Sequence, residues 1–147
     1  MSKSWILVAD AARARLFELP SRNANMMEIA CYTYPDSRSP GQHGANGRLP
    51  RAQESANAIR HAIEPHTSLQ EKHLAQFAEM LRETLKRGRM EERYDKLVLI
   101  APPRFLGVLR ECLDKRTREC VVDEIGLDLI GLSPVELRAR LPAGLNA

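Results

Sequence analysis

Short apolar runs separated by polar turns dominate the N-terminal part of the chain. Residues 5–9 are continuously apolar, which is typical of a buried strand. A second strand is predicted at Arg13–Leu19, where the side chains alternate between two faces, and a third at Met26–Tyr34. Because the turns between these strands are short, we expect the strands to pair in antiparallel fashion.

A long connection follows from Pro35 to about Thr67, with four prolines, three glycines and little sustained periodicity. Connections longer than about 12–15 residues are usually functional or disordered. We therefore expect a long flexible loop at residues 35–67, in which residues 52–63 have weak helical character.

The clearest helical pattern begins after this loop. Ser68 and Glu71 fit an S-x-x-E capping box, in which each side chain bonds a free backbone N–H group of the first turn. An apolar stripe at helical spacing follows, formed by Leu74, Phe77, Leu81 and Leu85. Gly88 is predicted to end the helix.

The second half of the chain predicts a strand–helix–strand unit. Residues 97–101 form a continuous apolar run, a helix is expected from Pro102-Pro103 onwards, and residues 120–125 predict another strand. Such a unit is expected to be parallel, with a right-handed crossover. A second capping box at Ser133 predicts a short helix ending near Leu141.

The complete pattern predicts one α/β domain over residues 1–147, with a mixed sheet of about five strands and helices packed on it. Net charge is only +3, which is too small to indicate nucleic-acid binding by itself. The three cysteines form no CxxC pair, and this predicts a reducing compartment. No apolar stretch has the roughly 20 residues of a membrane helix, and the N-terminal run is too short for a signal peptide. We therefore expect a cytoplasmic protein with no membrane partner.

Known catalytic and cofactor motifs are not found in the sequence. The four histidines match neither H-E-x-x-H nor a Cys/His zinc pattern, and G-x-S-x-G, P-loop and G-x-G-x-x-G motifs are missing. We therefore predict no metal and no cofactor. Asp10 follows a buried strand and is a candidate catalytic or metal-binding carboxylate, with the alternative that it bonds backbone N–H groups in a turn.

Arginine supplies the remaining candidate chemistry. Arg104 is expected at the carboxyl end of a parallel strand, where ligands of open α/β sheets commonly bind. Further basic residues are predicted on the loop before the last strand and on the long loop, namely Lys115, Arg116, Arg118, Arg38, Arg48, Arg51 and Arg60. They predict an anion or RNA-phosphate surface, with the alternative of a solvated face neutralised by neighbouring acids.

A family resemblance rests on segments spread over nearly the whole chain. They are Trp5-Ile6-Leu7-Val8-Ala9-Asp10, residues 11–18, Asn46-Gly47-Arg48, Glu64-Pro65-His66-Thr67, Phe77-Ala78, residues 97–107 with Ala101-Pro102-Pro103-Arg104-Phe105-Leu106-Gly107, and Leu109-Arg110. In this order they resemble the bacterial host attachment protein family. The chain departs from the family at Asn46, where an aspartate is expected, and before Asp128, where a lysine is usual.

Together with the missing export signal and the missing catalytic motifs, the resemblance implies a non-enzymatic cytoplasmic interaction protein that is indirectly required for attachment to host cells, with an unknown protein partner. The candidate binding residues all lie in the matching segments: Asp10, Arg13, Arg15, Arg48, Arg104 and Arg110.

The family in turn resembles the middle domain of archaeal and eukaryotic class I peptide release factors. In that domain a long loop between the third strand and the first long helix carries a GGQ tripeptide used in peptidyl-tRNA hydrolysis. The present chain has Pro40-Gly41-Gln42 in its long loop and lacks the first glycine, on whose backbone freedom the motif depends. The resemblance thus implies a fold, leaves RNA or ribosome association as an alternative function, and transfers no activity.

Overall fold

A mixed five-stranded sheet lies at the centre of the fold. The computed structural model describes residues 3–21, 23–34 and 63–142, with the backbone alone for residues 63–68. The strands are β1 (Ser4–Ala9), β2 (Arg13–Leu19), β3 (Met27–Thr33), β4 (Lys96–Ile100) and β5 (Val121–Ile125), and the helices are α1 (Ile63–Met90), α2 (Pro103–Cys112), α3 (Lys115–Cys120) and α4 (Pro134–Ala139).

The strand order is β3-β2-β1-β4-β5, so β3 and β5 form the two edges of the sheet. β2 pairs with β1 and with β3 in antiparallel fashion. β4 pairs with β1 and with β5 in parallel. The predicted α/β class, the mixed sheet, the antiparallel pairing of the first three strands and the parallel strand–helix–strand unit are confirmed.

Both faces of the sheet are covered by apolar side chains. On one face, Trp5 and Leu99 belong to a core that includes the apolar sides of α1 and α2. On the other face, Ile6 and Val98 pack with apolar residues of the C-terminal segment 129–141. Full burial of an aliphatic or aromatic side chain contributes roughly 1.5–3 kcal/mol. The continuous apolar runs of β1 and β4 therefore reflect strands that are buried on two sides.

The predicted apolar stripe of α1 is confirmed, since its four residues are at most 8% exposed. The predicted start of the helix was wrong. α1 begins at Ile63 instead of Ser68, so residues 63–67 belong to the helix and not to the loop. Pro65 lies in the first turn, where backbone N–H groups have no helical acceptor, and the proline therefore removes no hydrogen bond.

The predicted end of this helix at Gly88 was also wrong, because α1 continues to Met90. Gly88 allows close packing instead. A Cβ atom at this position would lie 2.4 Å from Cη2 of Trp5. The Trp5 ring itself stacks on Tyr94, with ring centroids 4.7 Å apart. The glycine is therefore required by the indole beneath the helix and not by a helix end.

The segment before the last strand is helical, which corrects the prediction of a loop there. Lys115, Arg116 and Arg118 lie on α3, and β5 begins at Val121, one residue later than predicted. The second capping box is confirmed at α4, where Ser133 Oγ accepts a hydrogen bond from the N–H of Glu136 at 3.2 Å. α4 ends at Ala139, slightly before the predicted end.

A polar cluster joins the C-terminal end of α1 to α3. Thr117 is fully buried, and its hydroxyl donates a hydrogen bond to Asp114 Oδ1 at 2.6 Å. Arg89 of α1 donates from Nε to Thr117 Oγ1 at 3.2 Å and from Nη2 to Asp114 Oδ2 at 3.4 Å. The cluster satisfies a buried hydroxyl and fixes the short helix against the long one.

Acid is expected to weaken the fold partly through Asp114. The Thr117 hydroxyl and the Arg89 guanidinium hold the pKa of Asp114 below its usual value. Such a carboxyl stabilises the fold above its unfolded pKa, about 3.9, and this stabilisation is lost as the pH falls through the lower folded pKa. We expect Asp114→Asn to be less stable than wild type near neutral pH, and the difference to shrink at about pH 3 in urea denaturation. A difference independent of pH would contradict this account.

The three cysteines are free thiols in different surroundings. Cys31 is exposed on β3, whereas Cys112 and Cys120 are half-buried against the core. Burial raises the pKa of both half-buried thiols. Because the thiolate is the reactive form, a colorimetric disulfide reagent is expected to modify one thiol quickly and two slowly. Cys31→Ser should remove the fast phase, and a fast phase that persists in this variant would show the assignment to be wrong.

Candidate functional site

The carboxyl ends of β1 and β4 lie side by side, because the two strands are parallel neighbours. From there the chain leaves in opposite directions, since β1 leads to β2 on one side and β4 leads through α2 and α3 to β5 on the other. Ligands of open α/β sheets commonly bind where connections diverge in this way. We define this region, residues 10–13, 34 and 101–104, as the carboxyl edge.

An open cleft of about 230 Å³ lies at the carboxyl edge. Its lining residues are Ala11 of the β1–β2 turn, Gln70, His73 and Leu74 of α1, and Arg104 in the first turn of α2. Guanidinium, imidazole and amide groups thus surround a small apolar surface, and such groups can donate hydrogen bonds to a carboxylate or phosphate. Drug-sized ligands occupy about 300–1,000 Å³. The cleft therefore matches one side chain or one phosphate group better than a large cofactor.

Tyr34, directly after β3, ties the surroundings of the cleft together. Its N–H donates to the carbonyl oxygen of Ala12 at 2.9 Å, and its hydroxyl donates to Oε1 of Gln76. The Tyr34 ring centroid lies 6.0 Å from that of His73 in an edge-on arrangement and 5.6 Å from that of Phe77. The end of β3, the β1–β2 turn and α1 are thereby joined at the carboxyl edge.

Asp10 holds the β1–β2 turn. Its Oδ1 accepts hydrogen bonds from the N–H groups of Ala12 at 2.8 Å and Arg13 at 2.7 Å. The N–H of Asp10 also donates to the carbonyl oxygen of Arg13 at 2.8 Å. This is the turn geometry that was the alternative interpretation of Asp10 from sequence, and it stabilises the reversal between the strands.

Two predicted binding residues present their side chains to solvent at the carboxyl edge. Arg13 is exposed at the start of β2. The Arg104 side chain is 56% exposed, and its Nη2 lies 3.9 Å from Oε2 of Glu71. An exposed ion pair at such a distance contributes about 0–1 kcal/mol, so Arg104 is readily available to another anion.

Arg15 lies on β2 and has internal partners. Its Nη1 donates to the carbonyl oxygens of Ile130 and Leu132, each at 2.7 Å, and its Nη2 lies 3.0 Å from Oε1 of Glu28. Its guanidinium carbon also lies 4.9 Å from the ring centroid of Phe17. These contacts fasten the C-terminal segment to the sheet, and binding of a partner by Arg15 stays a prediction.

Arg104 is the predicted site residue among the described lining residues of the cleft, whereas Asp10 and Arg13 lie on either side of its lining residue Ala11 in the sequence. Arg15 and Arg110, the other predicted site residues that the structure describes, lie elsewhere. Arg110 lies further along α2, where its Nε donates to Oε1 of Glu124 at 2.9 Å. Arg48, residues 40–42 and residues 52–62 lie outside the described residues, so their predicted roles stay predictions. The carboxyl edge therefore brings together Asp10, Arg13 and Arg104.

Gln70 and His73 are site residues that no sequence motif indicates. His73 belongs to no metal-binding pattern, and Gln70 carries no motif. Together with Leu74 these residues occupy positions i, i+3 and i+4 of α1, a spacing that places side chains on one helix face. That spacing was the available signal, but assigning the face to a cleft required the position of Arg104 on a separate helix.

No cluster of three or more His, Cys, Asp and Glu side chains suited to a metal ion occurs in residues 3–21, 23–34 and 69–142. Within the part of the chain that the structure describes, no helix combines the length and apolar character needed to cross a membrane.

The sequence matches a known protein family over most of its length. No curated protein matches the chain. A family model described as a protein required for attachment to host cells matches residues 5–141, a range that begins in β1, includes the carboxyl edge and ends after α4. The chain therefore belongs to the family of proteins required for attachment to host cells.

Proposed function

We propose that this chain is a non-enzymatic interaction protein of the cytoplasm, which supports attachment to host cells indirectly through a partner bound at the carboxyl edge. The observation that carries this proposal is the contrast between two charged residues of one turn. The Asp10 carboxylate is hydrogen-bonded to the backbone, whereas the Arg13 side chain is exposed to solvent. The Arg13 guanidinium is therefore a cation that this turn offers to a partner.

The geometry around Asp10 supports a structural role for this carboxylate. A general base or nucleophile needs a lone pair directed at the reacting atom of a substrate. The described hydrogen bonds of the Asp10 carboxylate are the two that Oδ1 accepts from backbone N–H groups of its own turn, and they orient the side chain toward the turn. An asparagine at this position keeps the Oδ1 acceptor and removes the charge, so Asp10→Asn separates the structural role from any catalytic one.

The expected partner presents a carboxylate or phosphate group to the cleft. Arg104 and His73 both line the cleft, and Nη2 of Arg104 lies 3.9 Å from Oε2 of the exposed Glu71. A charge-assisted hydrogen bond from a guanidinium group to a planar anion is stronger than one between neutral groups. An acidic side chain of a protein partner therefore fits the size and charge of the cleft.

The cytoplasmic location is supported by the three cysteines, which are thiols as in reducing compartments. Protease treatment of intact cells, followed by fractionation, measures the location. We expect the protein in the cytoplasmic fraction and protected from added protease. Digestion on intact cells would contradict the cytoplasmic part of the proposal.

A second candidate function is association with RNA or ribosomes. The observation that favours it is the pair of exposed guanidinium groups, Arg13 and Arg104, at the carboxyl edge. Arginine forms strong contacts with phosphate oxygens, and these contacts position a protein on nucleic acid without reading its sequence.

Ribosome co-sedimentation tests this second candidate. If this candidate holds, wild type travels with ribosomes at low salt and dissociates steeply as salt rises, because phosphate contacts displace counterions. Arg13→Glu with Arg104→Glu should stay at the top of the gradient. Lys115 and Arg116 were predicted on the same phosphate surface as Arg104, but they lie on α3, next to the amino ends of β4 and β5 and not at the carboxyl edge. Lys115→Glu with Arg116→Glu therefore makes the same charge change elsewhere and is the matched control. Wild type at the top at low salt would remove this candidate and leave the protein-partner proposal in place.

A further inference from the structure

A second open region lies at the other end of α1, between this helix and the edge strand β3. It is a groove of about 310 Å³, lined by Trp5, Leu16 and Ile29 on the sheet side, by Arg87 and Glu91 of α1, and by Arg93. We call it the β3 groove. Its helix residues lie about 20 Å along α1 from those of the cleft, at roughly 1.5 Å per residue. The β3 groove is therefore a separate surface, and an inference about it does not rest on the function proposed for the carboxyl edge.

A β-bulge shapes the sheet side of this groove. Ala30 pairs with Leu16 and Glu28 pairs with Phe17, so Ile29 is an extra residue of β3. The bulge interrupts the alternation of side chains, and Ile29 and Ala30 both line the groove. Ile29 is 37% exposed there. An aliphatic side chain thus stands open to solvent at the rim of the sheet.

Among the described residues, no strand covers the outer side of the β3 backbone. β3 pairs with β2 and with no other strand in the described ranges, which leaves a row of main-chain N–H and C=O groups on its other side. An extended peptide can pair with such an edge through main-chain hydrogen bonds, while alternate side chains of the peptide enter an adjacent groove. The β3 groove, between an edge strand and a helix, has the arrangement that this mode of binding requires.

Charge on the rim indicates the chemistry of the peptide. Arg87 and Arg93 are exposed, and neither forms an ion pair with a described side chain. The guanidinium carbon of Arg93 lies 5.5 Å from the ring centroid of Trp5, which holds this cation over the groove. Glu91 is the acidic residue among the described lining residues, so the two arginines leave the rim basic. Complementary charge therefore selects an acidic partner.

We propose that the β3 groove binds an extended acidic peptide of a partner protein, which adds to β3 as a further strand. The peptide places an apolar side chain against Ile29 and an acidic side chain toward Arg87 and Arg93. Residues i and i+2 of a strand face the same side. The recognised sequence therefore contains an apolar and an acidic residue separated by one position.

Selection of random peptides displayed on phage against the immobilised full chain tests the proposal. We expect enrichment of peptides with the apolar–x–acidic pattern, in either order. Synthetic versions of these peptides should bind Ile29→Lys, and Arg87→Glu with Arg93→Glu, at least about tenfold more weakly than wild type in fluorescence polarisation. Arg87→Gln with Arg93→Gln replaces the second variant if charge reversal unfolds the protein, which circular dichroism shows.

Matched controls separate this surface from the rest of the molecule. Val122→Lys introduces the same charge at an exposed apolar position of β5, the opposite edge strand, and should bind the peptides as wild type does. Arg13→Glu with Arg104→Glu should also bind the peptides as wild type does. Loss of partner binding at the carboxyl edge can therefore be distinguished from loss of peptide binding at the β3 groove. The proposal would be overturned if the selected peptides contained no acidic residues. It would also be overturned if folded Ile29→Lys bound the peptides as tightly as wild type does. A concentration-dependent dimer abolished by Ile29→Lys in analytical ultracentrifugation would overturn it as well, because a second copy would then occupy the groove.

Discussion

Replacing Arg15 by methionine is expected to lower the free energy of unfolding by about 3 kcal/mol. Arg15 donates two hydrogen bonds of 2.7 Å to the carbonyl oxygens of Ile130 and Leu132, and it pairs with Glu28. Methionine keeps an apolar side chain of similar length but leaves both partly buried carbonyls without this donor. Urea denaturation followed by tryptophan fluorescence measures the change.

Arg13→Met is the matched control for this prediction. Arg13 lies two residues earlier on the same strand and is exposed, so its replacement should change the free energy of unfolding by no more than about 0.5 kcal/mol. Hydrogen exchange gives a second measurement, because amides of residues 129–141 should exchange faster in Arg15→Met than in wild type. Equal stability of the two variants would mean that Arg15 does not fasten the C-terminal segment.

Gly88→Ala is expected to lower the free energy of unfolding by about 2 kcal/mol, opposite in sign to the usual effect in a helix. Alanine normally stabilises an exposed helix interior by about 1 kcal/mol relative to glycine. Here the added Cβ would lie 2.4 Å from Cη2 of Trp5, and stacking on Tyr94 restrains the indole. The helix and the ring must therefore separate, which costs more than the gain in helix propensity.

Gly107→Ala provides the comparison, because a Cβ at this position of α2 meets no described heavy atom within 4 Å. Without a steric conflict, the ordinary propensity gain should remain and stabilise the protein by up to about 1 kcal/mol. Thermal denaturation should thus shift Tm downward for Gly88→Ala and upward for Gly107→Ala. Shifts in the same direction would show that contact with Trp5 does not decide the effect.

The strands could be predicted because the pattern of apolar and polar residues within each strand indicates which of its faces are buried. Alternation along Arg13–Leu19 predicts Leu16 and Phe17 on opposite faces, and the two side chains belong to the cores on opposite sides of the sheet. The same applies to the continuous apolar runs at residues 5–9 and 97–101, which lie in strands covered on both faces. The local sequence pattern was therefore sufficient to predict strands in which buried positions recur at regular spacing.

Boundaries that depend on distant contacts could not be predicted. The S-x-x-E pattern at Ser68 is compatible with a helix interior as well as with a start, and the helix begins earlier. Glycine is a residue typical of helix ends, but at Gly88 it is required by close contact with Trp5, which is far away in the sequence. α3 is fixed partly by Thr117, whose contact with Arg89 spans 28 residues of sequence.

The site was partly predictable for the same physical reason. The rule for carboxyl ends of parallel strands placed Arg104 correctly, and turn chemistry supplied the hydrogen-bonding role of Asp10 as an alternative. Arg15 could not be distinguished from Arg13 by sequence, because its acceptors lie 115 and 117 residues further along the chain. The release-factor resemblance and RNA binding stay predictions.

Complementation of host-cell attachment tests most directly whether the carboxyl edge is a binding surface and not a catalytic centre. A strain lacking the protein would receive wild type, Asp10→Asn, Arg13→Glu with Arg104→Glu, or the control Lys115→Glu with Arg116→Glu. At equal protein levels, we predict that attachment is restored by wild type, Asp10→Asn and the control, and that the Arg13 and Arg104 variant fails. Loss of attachment in Asp10→Asn, together with full attachment in the Arg13 and Arg104 variant, would contradict the account.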